Sequence, residues 1–83
     1  MKTYKEIQLE TLEQLRERTI AAATENDVFL SALKRERLKS GKTDDMNLVS
    51  EIRKREANVL QFEGDISLIE EKLNNLENRK EAK

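Results

Sequence analysis

The chain has 83 residues, of which 16 are Lys or Arg and 17 are Asp or Glu, so its formal net charge is −1. It contains no Cys or His, which excludes a disulfide framework, a thiol nucleophile, an imidazole base and a zinc site of the usual ligand types. No apolar run approaches the ~20 residues of a membrane span, and the N-terminal MKTYKEIQLE lacks the apolar core of a secretion signal. These features predict one small, soluble domain over residues 1–83, cytoplasmic or virion-associated.

The apolar content is sufficient for folding but small. Leu, Ile, Val and Phe make up 21 of the 83 residues, which is above the range of disordered chains. A single core of this size supplies about 3–5 kcal/mol, and neither a disulfide nor a metal adds to it. Self-association or a partner is therefore expected as a further source of stability.

The first predicted helix covers residues 4–23. It opens on Thr3-Tyr4-Lys5-Glu6, a capping box in which the Thr3 hydroxyl accepts from a backbone amide while the Glu6 carboxylate reaches back. Apolar residues at helical spacing predict one broad buried face. Its members are Tyr4, Ile7, Leu12, Leu15 and Ala22.

Three further helices are predicted, over residues 27–39, 44–63 and 66–80. Thr24 or Asn26 caps the second helix, Gly41 follows its end, and Thr43-Asp44-Asp45 opens the third. Gly64 ends the third helix and Asp65 caps the fourth. The expected inward residues are Phe29, Leu30, Leu33 and Leu38, then Leu48, Val49, Ile52, Val59, Leu60 and Phe62.

The last helix carries Ile66, Ile69, Leu73 and Leu76 at spacings of three, four and three, an a/d pattern of two heptads. The elements together predict an all-α fold of three to four helices, in short-looped hairpins or a small bundle. A long coiled coil is the competing architecture, but it calls for three or four heptads. The a/d residues either close the protein's own core or, with Tyr4 as an anchor, dock on a partner or a second copy.

Two basic clusters are candidate contacts for a nucleic acid or a protein partner, because Lys and Arg neutralise phosphates and release counterions. A solvated helix face is the simpler interpretation, favoured by the sequence pI near 5.6 and by the scarcity of aromatic residues for base stacking. The cations are Lys34, Arg35, Arg37, Lys39 and Lys42 in the first cluster, and Arg53, Lys54 and Arg55 in the second.

No residue pattern indicates catalysis. The carboxylate pairs Asp44/Asp45 and Glu70/Glu71 are sequence neighbours, which point about 100° apart on a helix and share no substrate face. The serines have no His for a triad, and no glycine-rich phosphate loop is present. We therefore expect a non-enzyme with no catalytic residue, metal, cofactor or small-molecule substrate.

The middle of the chain carries a family resemblance. After Thr43-Asp44-Asp45, residues 48–62 read LVSEIRKREANVLQF. Ser50, Ile52, Lys54 or Arg55, and Phe62 approximately match the spacing of the pattern S-R-E-[IL]-K-Q-R-x-x-[SA]-[IL]-x-x-F. On these residues, best over 30–62, the chain resembles the N-terminal helical part of YqeY-like proteins. That family shares its fold with the tail domain of the tRNA-dependent amidotransferase B subunit. The resemblance implies a binding module linked to tRNA, and it transfers no catalytic residue.

The functional prediction is a small non-catalytic helical interaction protein that binds a larger complex as an adaptor or inhibitor. Its size suggests a phage or mobile-element origin. The alternatives are an RNA- or tRNA-associated module and a coiled-coil structural oligomer. A protein partner is expected, and a membrane is not.

Overall fold

Two long helices, α1 (Tyr4–Ser40) and α2 (Met46–Glu81), form an antiparallel hairpin in a computed structural model that describes residues 1–40 and 46–81, with side chains over 1–39 and 46–77. A helix of this length is about 55 Å long, and the molecule measures 61 × 24 × 15 Å. Its radius of gyration is 18.6 Å, against about 12 Å for a compact domain of this size. The all-α prediction is confirmed. The predicted number of helices, three to four, was wrong, because the described residues form two.

The N-terminus of α1 has the predicted capping box. The Glu6 amide donates to Thr3 Oγ1 at 3.2 Å, and the Thr3 amide donates to Glu6 Oε1 at 3.5 Å. The Ile7 amide also donates to the Thr3 carbonyl at 3.1 Å. At the other end, Arg37 and Lys39 lie in the last turn, where cations interact favourably with the helix dipole.

The break predicted at residues 24–27 does not exist, because α1 continues through it. Thr24 does not cap a new helix: its hydroxyl donates to the Ile20 carbonyl one turn earlier, at 2.8 Å. Asn26 is buried, with 3% of its surface exposed, and its side chain binds α2 instead of a helix end. The polar side chains of both residues thus form hydrogen bonds, Thr24 within α1 and Asn26 from α1 to α2.

The break predicted at Gly64 is also absent, since α2 runs through Gly64 and Asp65. A Cβ added at Gly64 would meet nothing within 4 Å, so this glycine serves neither a turn nor a close approach. Glycine in an exposed helix costs about 1 kcal/mol relative to alanine, an amount that packing on either side can offset. The residues on either side that face α1 are Phe62 and Ile66, both half-buried.

The hairpin core is a heptad seam along both helices. In α2 nine buried or half-buried positions alternate at four and three residues, over Leu48, Ile52, Arg55, Val59, Phe62, Ile66, Ile69, Leu73 and Leu76. In α1 the same alternation runs through Lys5, Leu9, Leu12, Arg16, Thr19, Ala23, Asn26, Leu30, Leu33 and Arg37. These residues are called the hairpin seam below. Gln8, Ala22 and Val49 are half-buried beside this alternation. The alternation is that of a coiled coil, the architecture ranked second from the sequence.

The single broad face predicted for the start of α1 was wrong. Leu12 lies in the hairpin seam, whereas Tyr4, Ile7 and Leu15 are 78%, 51% and 43% exposed. Phe29, Leu38 and Leu60 were also predicted to face the core. These predictions were wrong, because each residue has most of its surface exposed. The predicted stop at Gly41 and cap at Thr43-Asp44-Asp45 lie outside the described residues.

Candidate interaction surfaces

A polar cluster joins the helices near the middle of α1. Asn26 Nδ2 donates to the Arg55 carbonyl at 2.9 Å, and Arg55 Nη1 donates to Asn26 Oδ1 at 3.3 Å. The Arg55 guanidinium also lies 5.0 Å from the centre of the Phe29 ring, within the range of a cation–π interaction. Asn26 and Arg55 are both hairpin seam positions, and a buried polar pair in such a seam specifies register. Arg55, one of the predicted partner contacts, therefore contributes to the packing of α2 against α1.

The structure brings the two basic clusters to the same end of the hairpin. Residues 34–39 end α1 and residues 53–55 lie in the first turns of α2, so both flank the connection between the helices. Residues 34–55 contain eight Lys and Arg and four Asp and Glu, a net charge of +4, and the rest of the chain has a net charge of −5. We call this end the basic tip.

Several cations of the basic tip already interact within the protein. Lys34 Nζ lies 3.6 Å from Glu56 Oε2, and both side chains are about half exposed. Arg55 belongs to the polar cluster, and Arg37 also has an interaction within the protein. Lys42 lies outside the described residues. Arg35, Lys39, Arg53 and Lys54 are exposed, as is Lys34.

A second row of residues runs along α1 beside the hairpin seam. Successive members are three or four residues apart, so they share one helix face. We call this row the outer stripe: Tyr4, Ile7, Thr11, Leu15, Arg18, Ala22, Glu25, Phe29 and Ala32. Ile7, Leu15 and Phe29 keep 51%, 43% and 53% of their surface exposed. Except for Ile7, each member of the outer stripe directly precedes a hairpin seam residue, so the stripe lies about 100° around α1 from the hairpin seam.

Two grooves lie between the helices in the half away from the basic tip. A groove of about 450 Å³ is lined by Ile7, Thr11 and Leu12 of α1 and by Lys72 and Leu76 of α2, so the outer stripe continues into it. A second groove is lined by Arg16 and by three acidic residues, Glu13, Glu70 and Glu77. One groove is thus partly apolar and the other is charged.

The residues predicted as a partner or oligomer seam fall into two environments. Ile69 and Leu73 are buried, and Ile66 and Leu76 are half-buried, all within the hairpin seam. They contribute to the packing of α2 against α1. Tyr4 is 78% exposed at the start of the outer stripe. The outer stripe itself was missed from the sequence because its members were merged with Leu12 into one face.

Over residues 1–40 and 46–81, no group of three or more acidic or metal-ligating side chains is placed to hold a metal ion. Neither helix is long and apolar enough over the described positions to cross a membrane. Comparison with known proteins found no matching family model, no similar curated protein and no similar solved structure. The resemblance to YqeY-like proteins stays a prediction.

Proposed function

We propose that this chain is a non-catalytic protein-interaction module, an antiparallel helical hairpin that binds a protein partner through the outer stripe of α1. The observation that carries the proposal is the exposure of Ile7, Leu15 and Phe29 on one face of α1, beside a seam that is already occupied. Aligned apolar side chains on a helix suit the packing of another helix. In this role the protein is an adaptor or inhibitor of a larger assembly.

The small core of the hairpin supports this proposal. Its buried apolar residues are Leu30, Ile52, Ile69 and Leu73, and no large side chain of the described residues falls below 2% exposure. A chain of this size buries only about 60% of its unfolded surface even when compact, and an elongated hairpin buries less. Binding to the native state adds stability by mass action, so a partner on the outer stripe would compensate for the small core.

The proposal is tested by affinity capture with matched surface variants. The tagged full chain, Leu15→Glu and Leu60→Glu are each incubated with lysate of the cells that make the protein. Leu15 is on the outer stripe, whereas Leu60 is 72% exposed on the outer face of α2. We expect a stoichiometric protein that the wild type and Leu60→Glu retain and Leu15→Glu loses. Equal capture by all three chains would contradict the proposal.

A second candidate function is RNA binding, favoured by the gathering of both basic clusters at the basic tip. A net charge of +4 over residues 34–55 provides an electrostatic site for a phosphate backbone. It agrees with the tRNA link implied by the YqeY-like resemblance. An RNase-treated arm of the same capture separates the candidates, because a protein partner survives the treatment and RNA does not. For RNA, affinity should fall steeply between 50 and 300 mM salt, and reversal of Arg53 and Lys54 should abolish binding.

A further inference from the structure

The outer stripe has a self-complementary order of residues about its centre. Ala21 and Ala22 lie at the middle of α1, which spans Tyr4–Ser40. Arg18 lies about 5 Å before the midpoint of this alanine pair along the helix axis, and Glu25 lies about 5 Å after it. The stripe therefore carries opposite charges at equal distances from a pair of small residues.

The apolar residues follow the same symmetry. Leu15 lies about 10 Å before the midpoint, and Phe29 lies about 11 Å after it. Leu15 and Phe29 are 43% and 53% exposed, and Arg18 and Glu25 are also exposed. The central alanines would let a second helix approach closely, while the larger side chains on either side fill the space between two helices that diverge from the centre.

We propose that the outer stripe binds a second copy of this chain, with α1 packed antiparallel to α1 about a two-fold axis at Ala21–Ala22. This inference rests on the proposed function and names the partner. In a two-fold interface, residue i contacts residue j and residue j contacts residue i of the other copy. The axis thus brings Arg18 of each copy to Glu25 of the other, and Leu15 to Phe29.

The resulting dimer has the architecture of a four-helix bundle. Each helix of such a bundle packs against two neighbours, and α1 has two suitable faces, the hairpin seam and the outer stripe about 100° away. The apolar groove lined by Ile7 and Leu12 lies beside the outer stripe, so the same face extends to the end of the hairpin away from the basic tip. A parallel arrangement would place Arg18 against Arg18, and like charges disfavour it.

The decisive experiment is a charge exchange between two variants of the full chain. Arg18→Glu leaves acidic residues at both positions, and Glu25→Arg leaves basic residues at both. Each homodimer then has two repulsive pairs, whereas a mixed dimer has two attractive pairs. Light scattering with size-exclusion chromatography measures the mass from about 5 to 500 µM, against a monomer of 9.7 kDa. We expect a wild-type dimer, homodimers at least about tenfold weaker for each variant, and recovery in the equimolar mixture.

Two controls address folding and specificity. Circular dichroism reports the helix content of each variant, and Arg53→Glu, a charge reversal at the basic tip, should dimerise like the wild type. Recovery of the dimer in the mixture supports the two-fold arrangement even if a single variant loses helix content. A mixture no tighter than the single variants overturns the arrangement.

A wild-type chain that is monomeric up to 500 µM also overturns this inference. It leaves the proposed function standing, because the capture experiment with Leu15→Glu and Leu60→Glu decides that separately. Conversely, a dimer that forms by charge exchange while no other protein is captured identifies the second copy as the partner.

Discussion

The two helices distribute their apolar side chains in opposite ways. In α2, eight of the nine hairpin seam residues are apolar and the exception is Arg55. In α1, half of the ten seam positions are polar: Lys5, Arg16, Thr19, Asn26 and Arg37. The apolar residues of α1 are instead divided between the hairpin seam and the outer stripe. Thus α2 has one packing face, whereas α1 has two, and the second is exposed in the isolated chain.

This difference separates two tasks within a small molecule. The apolar seam of α2 contributes three of the four buried apolar side chains among the described residues, Ile52, Ile69 and Leu73, all at or below 7% exposure. The polar residues in the α1 seam contribute less burial, but Asn26 fixes α1 against Arg55 through two hydrogen bonds. Because a buried polar pair specifies alignment more than it stabilises, α2 supplies more of the apolar core, and the pair of Asn26 and Arg55 sets the register of the two helices.

The largest expected effect comes from placing a charge in the α2 seam. Leu73→Asp buries a carboxylate without a partner, which we expect to cost at least about 4 kcal/mol. That cost approaches the stability that a core of this size supplies, about 3–5 kcal/mol, so circular dichroism at 222 nm should show loss of helix. Leu60→Asp is the matched control, with an expected change within about 0.5 kcal/mol because Leu60 is exposed. Equal effects of the two variants would refute the placement of Leu73.

A smaller effect is expected from the polar pair that joins the helices. Asn26→Ala removes both hydrogen bonds to Arg55 and should destabilise the hairpin by about 1–3 kcal/mol. Urea denaturation of Asn26→Ala, Arg55→Ala and the double variant completes a double-mutant cycle, with an expected coupling of about 0.5–3 kcal/mol. Strict additivity would show that the pair makes no joint contribution.

Replacing both Asn26 and Arg55 by leucine tests whether this polar pair sets register without adding stability. Asn26→Leu/Arg55→Leu leaves no buried polar group at this level, and such replacements are often neutral or stabilising. We expect a chain at least as stable as the wild type in urea. A large loss of stability would mean that the polar pair is required for folding and not only for alignment.

The smallest effect tests the continuity of α2. Gly64→Ala should stabilise the hairpin by about 0.5–1 kcal/mol, because alanine favours the helix and its Cβ meets no neighbour. Ala57→Gly, at an exposed position of the same helix, should destabilise by about the same amount. Thermal denaturation measures both. If Gly64→Ala is destabilising, the helix ends at Gly64 as the sequence pattern predicted.

Part of the error in helix number could have been avoided from the sequence. The seam spacing from Phe62 to Ile66 is four residues, so the heptad pattern crosses Gly64 without a change of phase. The pattern also extends from Val59 back to Ile52 and Leu48 once Arg55 is accepted as a seam residue. Because Arg55 is charged, the two heptads that include it were not recognised in the sequence. The coiled coil was therefore ranked second.

The wrong prediction of a helix break at residues 24–27 could not have been avoided by following the heptad pattern. Thr24 and Asn26 are common cap residues, and local chemistry does not distinguish a cap from a hydroxyl that bonds back to Ile20 or an amide that crosses to Arg55. Those alternatives become favourable only when α2 lies beside α1. For the same reason, Leu15 and Leu12 were assigned to one face until the position of α2 separated them.

The sequence by itself determined the helical class and the capping box at Thr3 and Glu6. These depend on interactions within a few residues, or on the lack of Pro and the scarcity of Gly, and such information is local. Tertiary structure alone decided that α1 continues through residues 24–27, that Asn26 is buried and that Leu15 and Phe29 are exposed. Each of these depends on which face of one helix meets the other. Contacts between residues as distant in the chain as Asn26 and Arg55, 29 positions apart, outweigh the local preference for a cap or a break.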